Sequence, residues 1–300
     1  MPIRLPARRD WQQEIQDLVR GASGGFLFGI PLLYTMEVWW IGSYTEPPLM
    51  LTILAITFVI VFLLNRTDGF RQVGDRPFQA LCDSVEALAI GTVCVTAVLI
   101  LLREITHQTP LNEDLGKIVL EGVPFAIGVA LARSILAGRR DQPDQDNQDT
   151  QMDQQANPSA SENQPLPNYS PALADVSATL VGTVFIAFNI APTDEVKMLA
   201  AATSPPWLLV MVAASLVISY CIVFAAGFVS QERRLQQQGW FQNPLVETVL
   251  AYLLSLCAAA LMLWFFHRLG FDDPWTSWLR QTLVLGLPAA IGGAAGRLAV

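Results

Sequence analysis

The chain has 300 residues, of which 52% are hydrophobic and only 15% are charged, and its net charge is −8 with a pI near 4.8. Because an average soluble domain carries about 25% charged residues, this chain has too little charge to cover the surface of a soluble protein of its length. It also has no excess of Lys and Arg to neutralise phosphates, which argues against nucleic-acid binding.

Eight apolar runs along the chain predict eight transmembrane helices. Each run has about the 20 residues that a helix needs to cross a hydrocarbon core about 30 Å thick, and each is far too long for a buried strand. We therefore predict an all-α polytopic membrane protein in contact with the lipid bilayer. The runs are 22–42, 48–65, 80–102, 117–137, 171–190, 206–229, 244–266 and 280–299.

The residues before the first run predict an amphipathic N-terminal segment over residues 1–20. Trp11, Ile15 and Leu18 fall on one face of a helix whose other faces carry Gln, Glu, Asp and Arg. Such a helix lies on the membrane surface with its apolar face in the bilayer. The alternative is an ordinary short helix that packs on a loop.

Residues 138–170 differ in composition from the rest of the chain. They are rich in Gln, Asp, Asn, Ser and Pro, and they contain almost nothing apolar. Such a segment cannot bury enough surface to offset the entropy lost on ordering, so we predict a disordered acidic linker. The linker divides the membrane part of the chain into residues 21–137 and 171–300, with four helices each.

The distribution of Lys and Arg predicts the orientation. With the N-terminus inside, 13 of the 18 basic residues fall in inner segments or at inner helix ends, and cytoplasmic loops are enriched in Lys and Arg. We therefore predict a multi-pass protein of the bacterial cytoplasmic (inner) membrane, with the N-terminus, the C-terminus and the linker in the cytoplasm.

The two membrane parts resemble each other in sequence. At a constant shift of 158 residues, a Glu, a Pro-Pro pair and a Gly-Phe pair of the first part fall on identical residues of the second, and nearer the ends the shift becomes 164. Because each part has an even number of helices, both run in the same direction, which predicts two tandem same-orientation four-helix repeats. The matches used below are Glu37 with Glu195, Glu86 with Glu247, Pro124 with Pro288, Gly128 with Gly292 and Arg133 with Arg297.

Small residues and prolines repeat in the fourth and eighth helices. Gly128 and Gly292 belong to Gly and Ala patterns that let helix backbones approach closely, and they suggest that the eighth helix is a central packing element. Pro124 and Pro288 are expected to kink their helices at matched depths, because each lacks the backbone N–H that the helix needs.

Acidic residues within or beside the apolar helices are the candidates for function, because ionisable groups are costly inside a membrane. One interpretation is a route for a cation or protons between the two parts. The other is structural, with each inner Glu paired to the Arg of its own part, Arg133 or Arg297. The candidates for the route are Glu37, Glu195, Glu86, Glu247, Asp83 and Glu121.

No pattern in the sequence indicates an enzyme, a cofactor or a metal site. The chain has only two histidines, His107 and His267, and four cysteines that all lie in apolar runs without a C-x-x-C pair. The G-x-S-G spacing around Ser23 resembles that of an intramembrane serine protease. However, both histidines lie about a bilayer thickness away from Ser23 in the predicted topology, so a catalytic base is out of reach.

Three stretches carry a resemblance to a known family: residues 31–40 (PLLYTMEVWW), residues 190–196 (IAPTDEV) and residues 286–297 (GLPAAIGGAAGR). They are similar to an eight-helix family of bacterial integral membrane proteins, found in cyanobacteria and other bacteria, that is defined by a domain of unknown function. The resemblance covers nearly the whole chain except the linker. It implies an integral membrane location, and it implies no reaction, ligand or site residue.

Two functions follow as hypotheses. The first is a secondary transporter or channel for a cation or protons that uses the matched buried acids. The second is a membrane scaffold or accessory protein that does not transport and binds a protein partner through residues 138–170. The sequence does not choose an oligomeric state.

Overall fold

A computed structural model describes residues 8–68, 77–140, 171–226 and 243–298, and within them the chain is all-helical, as predicted. The first part of the chain, residues 8–140, forms five α-helices, and the second part, residues 171–298, forms five more together with a π-helical segment at Cys221–Ala225. The first five are α1 (Arg8–Leu33), α2 (Met36–Tyr44), α3 (Pro47–Asp68), α4 (Pro77–Leu101) and α5 (Leu111–Arg140). The second five are α6 (Pro171–Ile190), α7 (Glu195–Ala202), α8 (Pro205–Tyr220), α9 (Pro244–Phe265) and α10 (Trp275–Leu298).

Six of these helices are long and apolar enough to cross a membrane, and a seventh span is possible if α1 and α2 count as one. The prediction of eight spans is therefore not confirmed. The six are the segments Pro47–Arg66, Phe78–Leu101, Leu111–Arg133, Leu173–Ile190, Pro205–Ala225 and Pro244–Phe265.

The first predicted run, 22–42, is divided between two helices. α1 and α2 are bent by 92° relative to each other, and Thr35 between them has an extended backbone with φ −135° and ψ 99°. The Thr35 hydroxyl donates to Leu32 O at 2.8 Å, which satisfies a carbonyl that the end of α1 leaves without a helical partner. Local hydrogen bonding thus ends the helix inside a run that is apolar throughout.

The last predicted run, 280–299, is helical in α10 but is less apolar than the six candidate spans. Most of α10 is buried against other helices of the protein, including the polar residues Gln281 and Arg297. A helix that contacts protein rather than lipid does not need an apolar surface all round. Its low hydropathy therefore follows from its central position.

The predicted N-terminal segment and linker border on the described residues. α1 runs without a break from Arg8, so the boundary predicted at residue 20 lies inside this helix, and Trp11, Ile15 and Leu18 are exposed on it. α5 continues to Arg140, three residues into the predicted linker, and residues 141–170 lie outside the described residues.

One helix is central in each part. α5 packs against α1, α2, α3 and α4, and α10 packs against α6, α7, α8 and α9. Pro124 lies inside α5 and Pro288 inside α10, and both helices continue through their proline. α10, which covers the predicted eighth helix, thus contacts each of the other four α-helices of its part.

Glycine pairs allow the closest helix contacts in both parts. A Cβ on Gly128 would collide with the backbone of Gly24 on α1, and a Cβ on Gly292 would collide with the backbone of Gly182 on α6. Each pair therefore brings a central helix and the first helix of its part into backbone contact. The two pairs are related by the shifts of 158 and 164.

Hydrogen bonds from side chains to the backbone also recur at these shifts. The Thr35 bond to Leu32 has its counterpart in Thr193, whose hydroxyl donates to Ile190 O at 2.7 Å where α6 ends. Further pairs with the same donor and acceptor positions are Thr45–Ile41 with Thr203–Leu199, Thr57–Ile53 with Ser215–Met211, and Ser84–Ala80 with Thr248–Pro244.

The ends of α4 and α9 have the same backbone conformation. Arg103 has φ 66° and His267, 164 residues later, has φ 57°, a left-handed conformation that is uncommon for residues other than glycine. After Arg103, the N–H groups of the next two residues donate to Leu99 O, and after His267 the next two donate to Leu263 O. Both helices thus end in the same turn.

Candidate functional site

The two parts of the chain meet along a contact surface that we call the seam, formed by α1, α2 and the end of α4 on one side and by α7, α8, residues 221–226 and α10 on the other. Hydrogen bonds cross it at several levels. Near one end, Arg20 Nε donates to Ala226 O at 2.9 Å, and further along Tyr34 OH donates to Val284 O at 2.9 Å. All of these groups are buried, so water does not compete for these bonds.

Trp207 links α8 to the end of α4. Its Nε1 donates to Leu101 O at 2.7 Å, and the Arg103 guanidinium lies 5.5 Å from the centre of its ring. This distance is within the range of cation–π attraction. Trp207 therefore joins the two parts through a hydrogen bond to Leu101 and a ring contact with Arg103.

Glu195 occupies the point of the seam where both helix breaks meet. It lies in the first turn of α7, only 7% exposed, and its Oε1 accepts a hydrogen bond of 3.2 Å from Met36 N, the first backbone N–H of α2. The first N–H groups of a helix have no helical partner and carry a partial positive charge, so a carboxylate is stabilised there. Glu195 therefore lies in the first turn of one short helix and accepts a hydrogen bond from the N-terminus of another, in the other part of the chain.

Glu37, the sequence match of Glu195, has a different environment. Its side chain is exposed in the first turn of α2. The structure therefore does not bring Glu37 and Glu195 into equivalent surroundings, although they occupy corresponding positions in α2 and α7. The difference arises because the seam covers one and not the other.

The inner acids form ion pairs with the arginines of their own parts. Arg133 Nη2 lies 2.6 Å from Glu86 Oε1 and joins α5 to α4. Arg297 pairs with Glu247 and joins α10 to α9, and its guanidinium lies 5.5 Å from the ring centre of Phe224. The Arg297 side chain is only 3% exposed, so the second pair is much more shielded from solvent than the first.

The hydrogen bonds of α4 and α9 match Glu247 with a different residue of the first part from the one that the sequence comparison gives. Ser84 and Thr248 make the same hydrogen bond at a spacing of 164, and the residues before them are Asp83 and Glu247. Glu247 thus corresponds in register to Asp83, whereas Glu86 lies one helical turn further along. Both Asp83 and Glu86 interact electrostatically with Arg133. The ion pair of Arg133 is with Glu86, whereas Arg297 pairs with Glu247, the residue that corresponds to Asp83.

Glu121 is the most deeply buried of the candidate acids. It lies on the central helix α5 and is 2% exposed, and its Oε1 has no hydrogen-bond partner among the described residues. Lys117, one turn away on the same helix, is already engaged by Glu113 at 2.9 Å and by Glu104 at 3.3 Å. In the described part of the chain, Glu121 is thus a buried carboxyl group without a counter-ion.

The sequence analysis did not single out the Lys117 cluster or, apart from Glu195, the residues that bridge the seam. The spacing of Glu113 and Lys117 by four residues on one helix is a signal that could have identified that pair. Tyr34 and Trp207 offered no such signal, because their partners are backbone carbonyls about 250 and 106 residues away in sequence. In the residues that the structure describes, no group of three or more His, Cys, Asp or Glu side chains could hold a metal ion.

The long apolar helices define the class of the protein, which is a multi-pass integral membrane protein. Residues 17–300 match the model of a family described as "Putative integral membrane protein (DUF2391)", and the chain belongs to this family. The match confirms the resemblance found in the sequence. No curated protein and no solved structure matches the chain.

Proposed function

We propose that the protein is a secondary transporter or channel for a cation or for protons, and that its route follows the seam between the two parts of the chain. The observation that carries this proposal is the pair of helix breaks, at Thr35 and at residues 191–194, which occupy corresponding positions in the two parts. Interrupted apolar segments in corresponding positions are typical of substrate and ion sites in transporters.

The position of Glu195 supports this proposal. A carboxylate that is buried at the meeting point of two interrupted helices can attract a cation or exchange a proton, and it can also release the hydrogen bond from Met36 when its charge changes. Such a change would loosen the seam between the two parts. A transporter needs relative motion of its halves to expose a site to each side in turn.

The proposal includes a tandem duplication with both parts in the same orientation. The recurrence of helix order, of glycine contacts and of side-chain hydrogen bonds at the shifts of 158 and 164 supports it. With α1 and α2 as one bent span and α10 as another, each part has four spans. We further propose the bacterial inner membrane as the location, with both termini in the cytoplasm, because the basic residues concentrate on that side.

Ion flux into proteoliposomes tests the transport proposal. The purified full-length chain is reconstituted into sealed vesicles, and the movement of protons and of alkali-metal cations is followed with entrapped fluorescent indicators under an imposed gradient. We expect flux above that of empty vesicles prepared in parallel. Flux equal to that of empty vesicles for every gradient would contradict the proposal.

A membrane scaffold is the second candidate, and the two ion pairs favour it. Glu86–Arg133 and Glu247–Arg297 use their charges to hold neighbouring helices together, which leaves these acids unavailable to a transported ion. In this case the protein acts through residues 138–170. Deletion of residues 141–168 is then expected to abolish capture of a partner protein while the membrane part keeps its unfolding temperature, and unchanged capture would contradict the scaffold function.

A further inference from the structure

We propose that Glu121 is a proton-binding site that holds a neutral carboxylic acid within the membrane part of the protein, and that the proton is the coupling ion. The second half of this inference rests on the proposed transport function, whereas proton binding at Glu121 does not. The burial of the side chain and the absence of a counter-ion carry the inference.

An ionised carboxylate cannot remain in this position without compensation. A charge taken out of water costs several kcal/mol unless an opposite charge or several hydrogen bonds offset it. Glu121 is 2% exposed, and its Oε1 has no partner among the described residues. The nearest base along its helix, Lys117, is held by Glu104 and Glu113. The neutral acid is therefore the state that this environment accommodates.

The helices that pack against α5 provide no counter-ion either. Glu121 forms no ion pair or hydrogen bond with a described residue of α1, α2, α3 or α4. Within the spanning parts of these helices, α1 has no ionisable residue after Arg20 and α3 has none before Arg66. The remaining titratable groups are the exposed Glu37 and Tyr44 on α2, and Cys82, Asp83, Glu86 and Cys94 on α4, of which Asp83 and Glu86 lie beside Arg133.

The contacting helix α2 holds a second buried polar group without a partner. The Trp39 indole is 3% exposed, and its Nε1 has no hydrogen-bond acceptor among the described residues. An indole N–H is a donor only, so it can serve a carboxylate but not replace a missing base. Both polar groups lie on helices that pack against each other, and no hydrogen bond joins them.

The proton is favoured over a metal cation by the number of ligands. Ca²⁺ and Mg²⁺ take about six or more oxygen ligands. Glu121 is one carboxyl group, and no acidic cluster surrounds it in the described part of the chain. A proton needs only one carboxylate oxygen. The site therefore fits a proton and not a dehydrated metal cation.

The corresponding residue of the second part shows that folding does not require an acid here. Position 285, at the shift of 164, is Leu285, which is fully buried on α10. Replacement of Glu121 by an uncharged residue is therefore compatible with the packing of a central helix. Because a Glu121 variant is expected to fold, a change in its proton binding or flux can be assigned to the lost carboxyl group.

Labelling with dicyclohexylcarbodiimide tests the proton site. This hydrophobic reagent takes the proton of a neutral carboxylic acid on one nitrogen, the carboxyl oxygen bonds to its central carbon, and rearrangement gives a stable N-acylurea with nothing lost. The full-length protein in lipid nanodiscs is treated at a series of pH values and mapped by mass spectrometry. We expect one added carbodiimide on Glu121 that diminishes as the pH rises and that is absent in Glu121→Gln, while the ion-paired Glu86 gains none.

Failure of the two proposals can be distinguished. An unlabelled Glu121 at every pH, in protein whose unfolding temperature equals that of Glu121→Gln, would overturn the proton site. If flux is then observed only with an alkali-metal gradient, transport stands and the coupling ion is wrong. If labelled protein shows no flux with any gradient, the transport function fails and the proton site stands. Proton-driven flux in wild type that is lost in Glu121→Gln supports both.

Discussion

The acidic residues of the membrane part differ in what compensates their charge. Glu86 and Glu247 pair with arginines, Glu195 accepts a backbone N–H at the start of α2, Glu37 is exposed, and Glu121 has no partner among the described residues. The same side chain is therefore found in four different environments in one protein. Burial and the nearest opposite charge decide between them.

The two ion pairs are expected to contribute unequally to stability. The Arg297 side chain is 3% exposed, so Glu247→Gln leaves a buried charge without its partner and lowers the free energy of unfolding by about 3 kcal/mol. Glu86 is 47% exposed, and Glu86→Gln is expected to cost no more than about 1 kcal/mol. Reversible unfolding in mixed micelles measures both. Equal losses would contradict the difference in burial.

At the residue scale the sequence supplied the candidate acids but not their environments. The depth of Glu86, Glu247, Arg133 and Arg297 in their helices could be estimated from hydropathy, which is why pairing between them could be formulated as one interpretation. The contact of Glu195 with Met36 joins residues 159 apart in sequence, and it depends on a helix break and on the packing of two parts. Neither is encoded in a local pattern.

The helices are positioned by contacts in which no side chain intervenes. Gly24 meets Gly128 between α1 and α5, and Gly182 meets Gly292 between α6 and α10. Helices in a membrane gain little from hydrophobic association with one another, so close backbone packing is a main source of their attraction. The central helices α5 and α10 depend on it in the same way.

Alanine at these glycines is expected to separate the helices. A Cβ on Gly182 would overlap the Gly292 backbone, so Gly182→Ala should lower the free energy of unfolding by about 1–3 kcal/mol. Gly122→Ala on α5 is the matched control, because the nearest atom to its Cβ would be Val95 Cγ1 at an ordinary 3.8 Å. The control should be neutral or slightly stabilising in the same unfolding assay, and a neutral Gly182→Ala would contradict the proposed contact.

At the element scale, the long apolar runs predicted helices well because length and composition alone decide that assignment. The break at Thr35 was missed, since residues 22–42 are apolar on both sides of it and the bend depends on the backbone of one residue. The eight predicted spans included α10, which is not one of the six candidate spans. Its Gly, Gln and Arg residues face protein and lower its hydropathy. Hydropathy reports contact with lipid, and it underestimates a helix that other helices surround.

The whole molecule consists of two parts with the same order of helices, each arranged around one central helix. The seam between them uses few and mostly backbone-directed hydrogen bonds, at Arg20, Tyr34, Glu195 and Trp207. Apolar side chains of both parts, including Ile30 and Leu285, also belong to one buried core. Relative motion of the two parts along the seam would therefore have to break these hydrogen bonds and rearrange apolar contacts.

The proposed same-orientation arrangement predicts which loops share a side of the membrane. Gln108 and Asp272 are 164 residues apart, in the loops after α4 and α9. In a background with the four native cysteines replaced by alanine, Gln108→Cys and Asp272→Cys should both react with a membrane-impermeant maleimide from outside the cell. Ser159→Cys in the linker should react only after permeabilisation. Labelling of Gln108→Cys and Asp272→Cys from opposite sides would contradict parallel repeats.

Flux through the seam is measured most directly by comparing Glu195→Gln with Glu37→Gln in proteoliposomes. The two substitutions remove the same charge at corresponding positions, but only Glu195 is buried where the helix breaks meet. Both variants are reconstituted at equal protein content beside wild type and empty vesicles. The account predicts that Glu195→Gln falls to the level of empty vesicles while Glu37→Gln retains wild-type flux. Wild-type flux in Glu195→Gln would contradict it.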